Sequence, residues 1–490
     1  MRKKTSNQPR SRAFLLGSAF LAGASVMSLE LCASRILSPG FGGGIYVWGS
    51  LIGVIMAAMS LGYWIGGRWA DDRKDPKRPY KALILSGIIV SLTPTVGYAI
   101  VAVCTYAGLI FGPLISSVMI FAAPMTLVST VSPMVIKREA RNLSTVGGSA
   151  GKVFAISTVG SIIGTFATAF LLLPYLGTRA TLLSNALLLC ALGCIGVYER
   201  NSALLAMFML PGFLYQPPYL QAEGLIYRGE SAYNIISVVD SPNSRILRMN
   251  WDLFLIQSYQ NKNGPLTGYY FDNYLLGPPM SGGNKVLFIG MAGGVAVNQL
   301  LGFYDVDVDA VEIDPSVVDV AKEYFNVTEG PRLRIFVSDG RQFLKGSGKY
   351  DVIDVDAFNG ADIPTHMSSA EFFKDAYGHL NDDGILMMNV LNIKNDRKLS
   401  HAVANTMKTA FPSVFLVNSS RNDILIACKG KKTKQQLTEG LTRANNPRME
   451  PIIYNFNEYA VEYNQEGGDI FTDDKTDIEE LTFEQMKALG

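Results

Sequence analysis

The chain has 490 residues, a formal net charge of +1 and a hydrophobic share of 48%. Length and apolar excess exclude a single small soluble domain. The near-neutral charge leaves no basic face for nucleic acid once the residues flanking the apolar runs are set aside. Five cysteines show neither disulfide-framework nor metal-ligand spacing, so no metal is expected.

The apolar residues are concentrated in the first two-fifths of the chain. Runs of about 20 residues, long enough to cross a bilayer, predict six spans at 13–34, 45–67, 81–103, 107–136, 153–176 and 179–198. Basic residues cluster in alternate connections. Arg2, Lys3, Lys4, Arg10 and Arg12 precede the first span, six lie in 68–81 and four in 137–152, whereas 38–44 and 104–106 have none. That asymmetry predicts the N-terminus and everything after the sixth span on the cytoplasmic side of the cell (inner) membrane. The run Ala203–Tyr215 contains Pro211 and Gly212 and is short for a span, so it is predicted to lie at the membrane interface. Gly160 and Gly164 form a Gly-x-x-x-Gly that lets helices approach closely, within the chain or between copies, which keeps a homodimer open. Glu30 and Arg35 near the end of the first span read equally as a functional pair or a structural one. The expected organisation is a multi-pass α-helical membrane domain (1–200, six helices), an interfacial linker (201–222), a small β-strand domain (223–282) and an α/β Rossmann-like domain (283–490).

After the linker, short alternating segments predict strands at 233–239, 245–249 and 253–257, followed by an aromatic helix that ends at Gly277 and Pro278. The stretch Lys285–Pro315 then reads as strand, small-residue turn (Gly290 to Gly294), helix and second strand. That second strand ends in Glu312 and Asp314, with Glu312 22 residues after Gly290. In a parallel α/β sheet such a turn and carboxylate meet at the carboxyl ends of neighbouring strands, where ribose hydroxyls are held. Asp314 and Pro315 open the next helix as N-cap and first-turn proline. The strand Leu333–Val337 ends at Asp339-Gly340 and the strand Tyr350–Val355 at Asp356. Three acids on successive strand ends exceed what helix capping requires. They describe an S-adenosyl-type nucleotide site with Glu312 on the ribose, Asp339 on the adenine amine and Asp356 at the reacting group. The turn lacks the complete Gly-x-Gly-x-x-Gly of a dinucleotide site. His366, in the loop after that strand, is expected to close over the site without chemistry. Further strands are predicted at 384–389, 414–417 and 424–429, with a last amphipathic helix from Ile478.

These residues resemble the spermidine synthase (polyamine aminopropyltransferase) family, and the whole chain looks like its membrane-fused branch. Glu230-Ser231-Ala232-Tyr233 is similar to the family's opening motif, Gln257-Ser258 to the end of its β layer, and Tyr270 to the tyrosine of its acceptor pocket. Val311–Asp314, Asp339-Gly340 and Tyr350–Ala357 are similar to its nucleotide and catalytic strands, and Ile363–Phe373 and Phe471–Glu479 to the fused branch. The resemblance implies a class I S-adenosylmethionine-methyltransferase-like domain preceded by a small β layer. It implies a nucleotide held at Gly290, Gly293, Gly294, Glu312, Asp339 and Gly340, with Asp356 as the base. An amine substrate would be bound by Tyr233, Gln257, Tyr270, Asn359 and His366. Three departures concern the substrate: glycine (Gly293 or Gly294) replaces an acid in the turn, Asn359 replaces a second acceptor-side aspartate, and Asn234 replaces a glutamine. The leading expectation is aminopropyl transfer from decarboxylated S-adenosylmethionine to an amine such as a polyamine. The second is methyl transfer from S-adenosylmethionine to a small or lipophilic acceptor delivered by membrane lipid. The third is a polyamine or S-adenosyl-metabolite binding or transport protein.

Overall fold

The computed structural model describes residues 11–72, 75, 77–140, 145–198, 206–214, 223–250, 256–358, 362–444, 446–465 and 467–487. The chain divides into two compact units, Met1–Gln221 and Ala222–Gly490.

The first unit is helical: α1 Arg12–Phe41, α2 Ile45–Asp71, α3 Arg78–Cys104, α4 Gly108–Ser117, α5 Ala123–Ser129, α6 Val131–Glu139, α7 Val146–Ala167 and α8 Leu173–Val197. Among the described residues, four continuous helical stretches, Arg12–Phe41, Ile45–Asp71, Arg78–Glu139 and Val146–Val197, are long and apolar enough to cross a membrane. The last two, of 62 and 52 residues, greatly exceed the roughly 20 residues of one crossing. Each turns at a glycine that only a residue without a side chain adopts easily, Gly108 (φ 84°) and Gly177 (φ 77°). Single π-helical turns at Val118–Ala122 and Thr168–Leu172 interrupt the helices that follow and precede these bends.

Glycines set the helix crossings. A Cβ on Gly160 or Gly164 would strike the backbone carbonyls of Phe20 and Ala24 in α1, so the Gly-x-x-x-Gly face is occupied within the chain. Gly62 and Gly66 of α2 repeat the device against the carbonyls of Thr126 and Thr130. One buried polar group bridges three helical segments: the Thr168 hydroxyl and the Asn185 amide both donate to Ser28 Oγ at 2.8 Å. The five cysteines are free thiols. The segment expected at the interface is helical over Ala206–Met209 and Leu210–Leu214. Gly212 packs on the carbonyl of Ser91, midway along α3, and its own carbonyl accepts from Arg179 Nη2 at 3.0 Å. It is thus packed directly on α3.

The second unit contains two sheets. The first is antiparallel, β1 Leu225–Glu230, β2 Ile235–Asp240, β3 Ser244–Met249 and β4 Ser258–Asn261, in chain order. The strand expected at 253–257 falls largely on 251–255, outside the described residues; β4 begins just after it. The second sheet comprises β5 Lys285–Ile289, β6 Asp307–Glu312, β7 Leu333–Val337, β8 Tyr350–Val355, β9 Leu380–Leu391, β10 Ser413–Ser419, β11 Asn422–Cys428 and β12 Ala460–Glu462. Its order is β12-β10-β11-β9-β8-β5-β6-β7. Strands β5 to β9 pair in parallel, while β11, β10 and β12 are antiparallel additions. The order reverses at β5, so the crevice beyond the carboxyl ends of β5 and β8 is where an open α/β sheet takes its ligand. Apolar side chains alternate along each strand and fill both faces, with Val286, Phe288 and Val352 in one core and Leu287, Ile353 and Val355 in the other.

One local expectation is corrected. The aromatic segment Tyr270–Leu276 is a 3-10 helix that widens into the short α-helix Gly277–Ser281, so Gly277-Pro278 begins a helical turn where a helix end was expected. Proline at its first turn is compatible with that start, since its missing N–H has no intrahelical partner there. The Asp314 cap is as expected, its carboxylate accepting from Ser316 N at 3.0 Å.

Candidate active site

The turn after β5 passes very close to the end of β8. Asp356 N donates to the Ile289 carbonyl and Gly290 N to the Val311 carbonyl, both at 2.8 Å, and a Cβ on Gly290 would strike the Asp356 carbonyl. With φ at 88° as well, this position requires glycine. Two residues on, Ala292 also has positive φ (47°), which turns its N–H onto Glu312 Oε2 at 2.9 Å. Glu312 Oε1 accepts from Asp314 N at 3.2 Å. Burial pushes the Glu312 carboxyl up to about 7, against the lowering effect of those N–H donors. The carboxyl at this strand end is thus buried and gripped by the backbone N–H groups of the turn and of Asp314.

Gly293 and Gly294 have no room for an acid. A Cβ on Gly293 would come within 2.9 Å of Ser258 Cβ and Oγ, and the Gly293 N–H donates to that hydroxyl at 2.8 Å. Gly294 combines φ of 69° with Val327 Cγ2 at 2.5 Å from its would-be Cβ. Ser258 from β4 occupies the volume that a longer side chain would need.

On the next strand end Asp339 Oδ1 caps the helix Gly340–Gly346 through Gln342 N, while Oδ2 meets His366 Nε2, both at 2.9 Å. Gly340 packs against Ile289, and a Cβ there would collide with that side chain. His366 is exposed, in the 3-10 turn Thr365–Met367.

At β8, Asp356 Oδ1 accepts from Asn389 Nδ2 at 2.9 Å and Oδ2 from the Tyr270 hydroxyl at 3.2 Å. Enclosure by protein raises the Asp356 carboxyl to about 7, while bonds from Asn389, Tyr270 and Tyr274 pull it down. A carboxyl with that value can exchange a proton near neutrality. Asn389 is held in turn by Asn422 Nδ2 at 2.8 Å. Two residues before Asp356, Asp354 is fully buried beside Phe288 and Met387 of the flanking strands, and neither carboxyl oxygen has a hydrogen-bond partner among the described residues. Burial, then the charge of Asp356, pushes its carboxyl well above the ordinary range. An ionised group there would be prohibitively costly, so Asp354 is a neutral acid.

Of the residues predicted from sequence, Gly290, Glu312, Asp339, Gly340 and Asp356 share the carboxyl rim of the sheet, and Tyr270 reaches Asp356. Gln257 precedes Ser258, which bonds the glycine turn. Tyr233 is exposed on a turn that docks on the helix cap: Ser231 Oγ and Asn234 Nδ2 both donate to Asp314 Oδ2. Asn359 lies outside the described residues. Sequence reasoning missed Asn389, whose only signal is a polar residue in the apolar run of β9, and Asp354, hidden in the interior of a strand. It also missed the Arg341–Asp473 pair, bonded at 2.6 and 3.0 Å across 132 positions.

Residues 278–434 match the spermine/spermidine synthase domain. The second unit carries a spermine/spermidine synthase domain. The chain is 31% identical over 279 residues to a probable polyamine aminopropyl transferase of Bifidobacterium longum, a match covering 52% of this chain and 62% of that one. To the polyamine aminopropyltransferase of Vibrio vulnificus it is 27% identical, over 36% of this chain and 60% of the relative. The chain thus spans about three-fifths of these two relatives. A third, the polyamine aminopropyltransferase of Corynebacterium efficiens, is 25% identical over 438 residues, 81% of each chain, which is more than the second unit alone can supply. Among solved structures, a probable spermidine synthase from Corynebacterium glutamicum aligns with a TM-score of 0.41 at 16% identity, covering 52% of this chain and 98% of that chain.

Proposed function

We propose that the protein is a membrane-anchored aminopropyltransferase that uses decarboxylated S-adenosylmethionine and an amine acceptor of the polyamine class. The observation that carries this reading is the Asp356 carboxyl, held by Tyr270 and Asn389 on the same rim as Glu312 and Asp339. In the reaction the acceptor nitrogen attacks the carbon next to the sulfonium. That carbon–sulfur bond breaks with its electron pair going to sulfur, which leaves as neutral methylthioadenosine, and the new ammonium gives its proton to Asp356. The leaving group needs no acid, so alignment and one base are what the protein must provide. Glu312 would accept from the ribose hydroxyls, Asp339 from the adenine amine, and Gly290, Gly293, Gly294 and Gly340 would bring backbone against the nucleoside. Tyr233, Gln257, Tyr270, Asn359 and His366 would line the acceptor side. The donor is a charged nucleoside that does not diffuse through lipid, in keeping with a catalytic unit facing the cytoplasm from the cell (inner) membrane. Copies could still associate as homodimers through surfaces other than the Gly160/Gly164 face.

One observation favours a second reading. No acid fits at Gly293 or Gly294 to hold an aminopropyl ammonium, so a donor retaining its carboxylate meets no opposing charge there. That donor is S-adenosylmethionine, and the transferred group a methyl. Full-length protein in detergent, given each donor in turn with an amine mixture, separates the two. Methylthioadenosine from the decarboxylated donor supports aminopropyl transfer, and S-adenosylhomocysteine as the sole product overturns it.

A further inference from the structure

The C-terminal segment from Phe471 to Lys487 runs across the carboxyl rim of the large sheet and bonds the loops that follow three successive strands. After β7, Arg341 is nine-tenths buried and forks onto Asp473, Nη1 to Oδ1 at 2.6 Å and Nη2 to Oδ2 at 3.0 Å. After β8, Ser369 Oγ donates to Asp473 Oδ1 at 2.6 Å, Asp473 N to Glu371 Oε2 at 3.1 Å, and Ala370 N to the Phe471 carbonyl at 2.9 Å. After β9, Ile393 N donates to Gln485 Oε1 and Gln485 Nε2 to the Asp396 carbonyl, at 3.2 and 2.9 Å. Phe471 itself is buried, with its N–H on Thr406 Oγ1 at 3.0 Å.

Arg341 joins this segment to the nucleotide end of the site. The Nη1 that binds Asp473 also donates to the His366 carbonyl at 2.9 Å, and His366 Nε2 contacts Asp339 Oδ2. A bidentate Arg–carboxylate pair is geometrically demanding and, when mostly buried, strong. Asp473 orients the guanidinium, the guanidinium fixes the turn Thr365–Met367, and the turn places an imidazole on the second oxygen of Asp339. Asp339 Oδ1 is already committed to the helix cap, so the imidazole is what fixes its carboxylate plane.

We propose that Arg341 and Asp473 are positioning residues for nucleoside binding, acting through His366 on Asp339, which makes the C-terminal segment part of the nucleotide site. This rests on the nucleoside assignment of the rim but not on which group is transferred. The test is a double-variant cycle on the full-length protein in detergent, titrated separately with methylthioadenosine and S-adenosylhomocysteine. Asp473→Asn is expected to weaken binding of the nucleoside that wild type holds by about 10-fold. It should leave kcat at saturating donor unchanged, and the loss should vanish in a His366→Ala background, where the relay is already cut. Arg341→Lys keeps the charge but loses the fork and should repeat the result, which also serves if Asp473→Asn fails to fold. Unchanged affinity in both variants, losses that multiply with His366→Ala, or no binding of either nucleoside by wild type would each overturn the proposal. Binding of S-adenosylhomocysteine with no aminopropyl transfer would defeat the proposed function alone.

Discussion

The two units use the same small residue for opposite ends. In the helical unit Gly62, Gly66, Gly160 and Gly164 let backbones touch, each pressed on a carbonyl of a neighbouring helix, so nothing is left between them. In the second unit Gly290 and Gly293 bring a turn against β8 and β4, and that turn leaves a carboxylate, Glu312, gripped at the rim. The polar groups differ in the same way. Ser28, Thr168 and Asn185 satisfy one another inside the bundle, whereas Glu312 and Asp356 are held at raised proton affinity at the carboxyl rim of the sheet. One unit is closed on itself; the other keeps its tension at one edge.

Substitutions should separate the two patterns. The largest effect is expected at Gly290→Ala, where an unfavourable φ adds to a collision with the Asp356 carbonyl. Nucleoside binding, followed by calorimetry, should fall by about 10- to 100-fold, and wild-type affinity would show that the turn yields freely. Next, Asn389→Ala removes a donor from Asp356 and should lower kcat about 10-fold without changing nucleoside affinity. In the helical unit Gly164→Leu should cost about 1–3 kcal/mol of stability by overpacking, read as a lower unfolding temperature in detergent, with nucleoside binding untouched. A coupled loss of binding would erase the distinction between the units.

The smallest effect concerns pH. Glu312, Asp354 and Asp356 all have proton affinities raised by burial. The folded state therefore keeps protons that the unfolded chain releases above about pH 4. Their stabilising contribution is complete below that pH and, for Glu312 and Asp356, is lost as pH rises through about 7. Unfolding of the second unit should become easier between pH 5 and 8. Asp354→Asn should flatten that slope by at most about 1.4 kcal/mol per pH unit, the weight of one proton. An unchanged slope would mean that Asp354 is not a neutral acid.

What could be read from sequence was chemistry at the ends of apolar runs. Glu312, Asp339 and Asp356 each close a β-branched segment, so both the sheet and its rim were visible, as was the Asp314 cap. The antiparallel placement of β11 between β9 and β10 was not, because strand order is set by pairing partners that leave no local mark. Asn389 and Asp354 were hidden by their apolar neighbours. The link from Asp473 to Arg341 joins segments 132 positions apart, beyond the reach of any spacing argument. The packing of 206–214 is equally silent in sequence: Gly212 presses on α3 at Ser91, a contact that composition does not show.

The central claim is that Asp356 is the base of a rim-bound transfer, and the pH dependence of kcat tests it most directly. Wild type should lose turnover below about pH 7, the value to which burial raises Asp356. Asp356→Asn should lose about 10²- to 10⁴-fold of kcat together with that acid limb, while binding the nucleoside as wild type does. Full turnover in the variant, with the limb unchanged, would contradict the account.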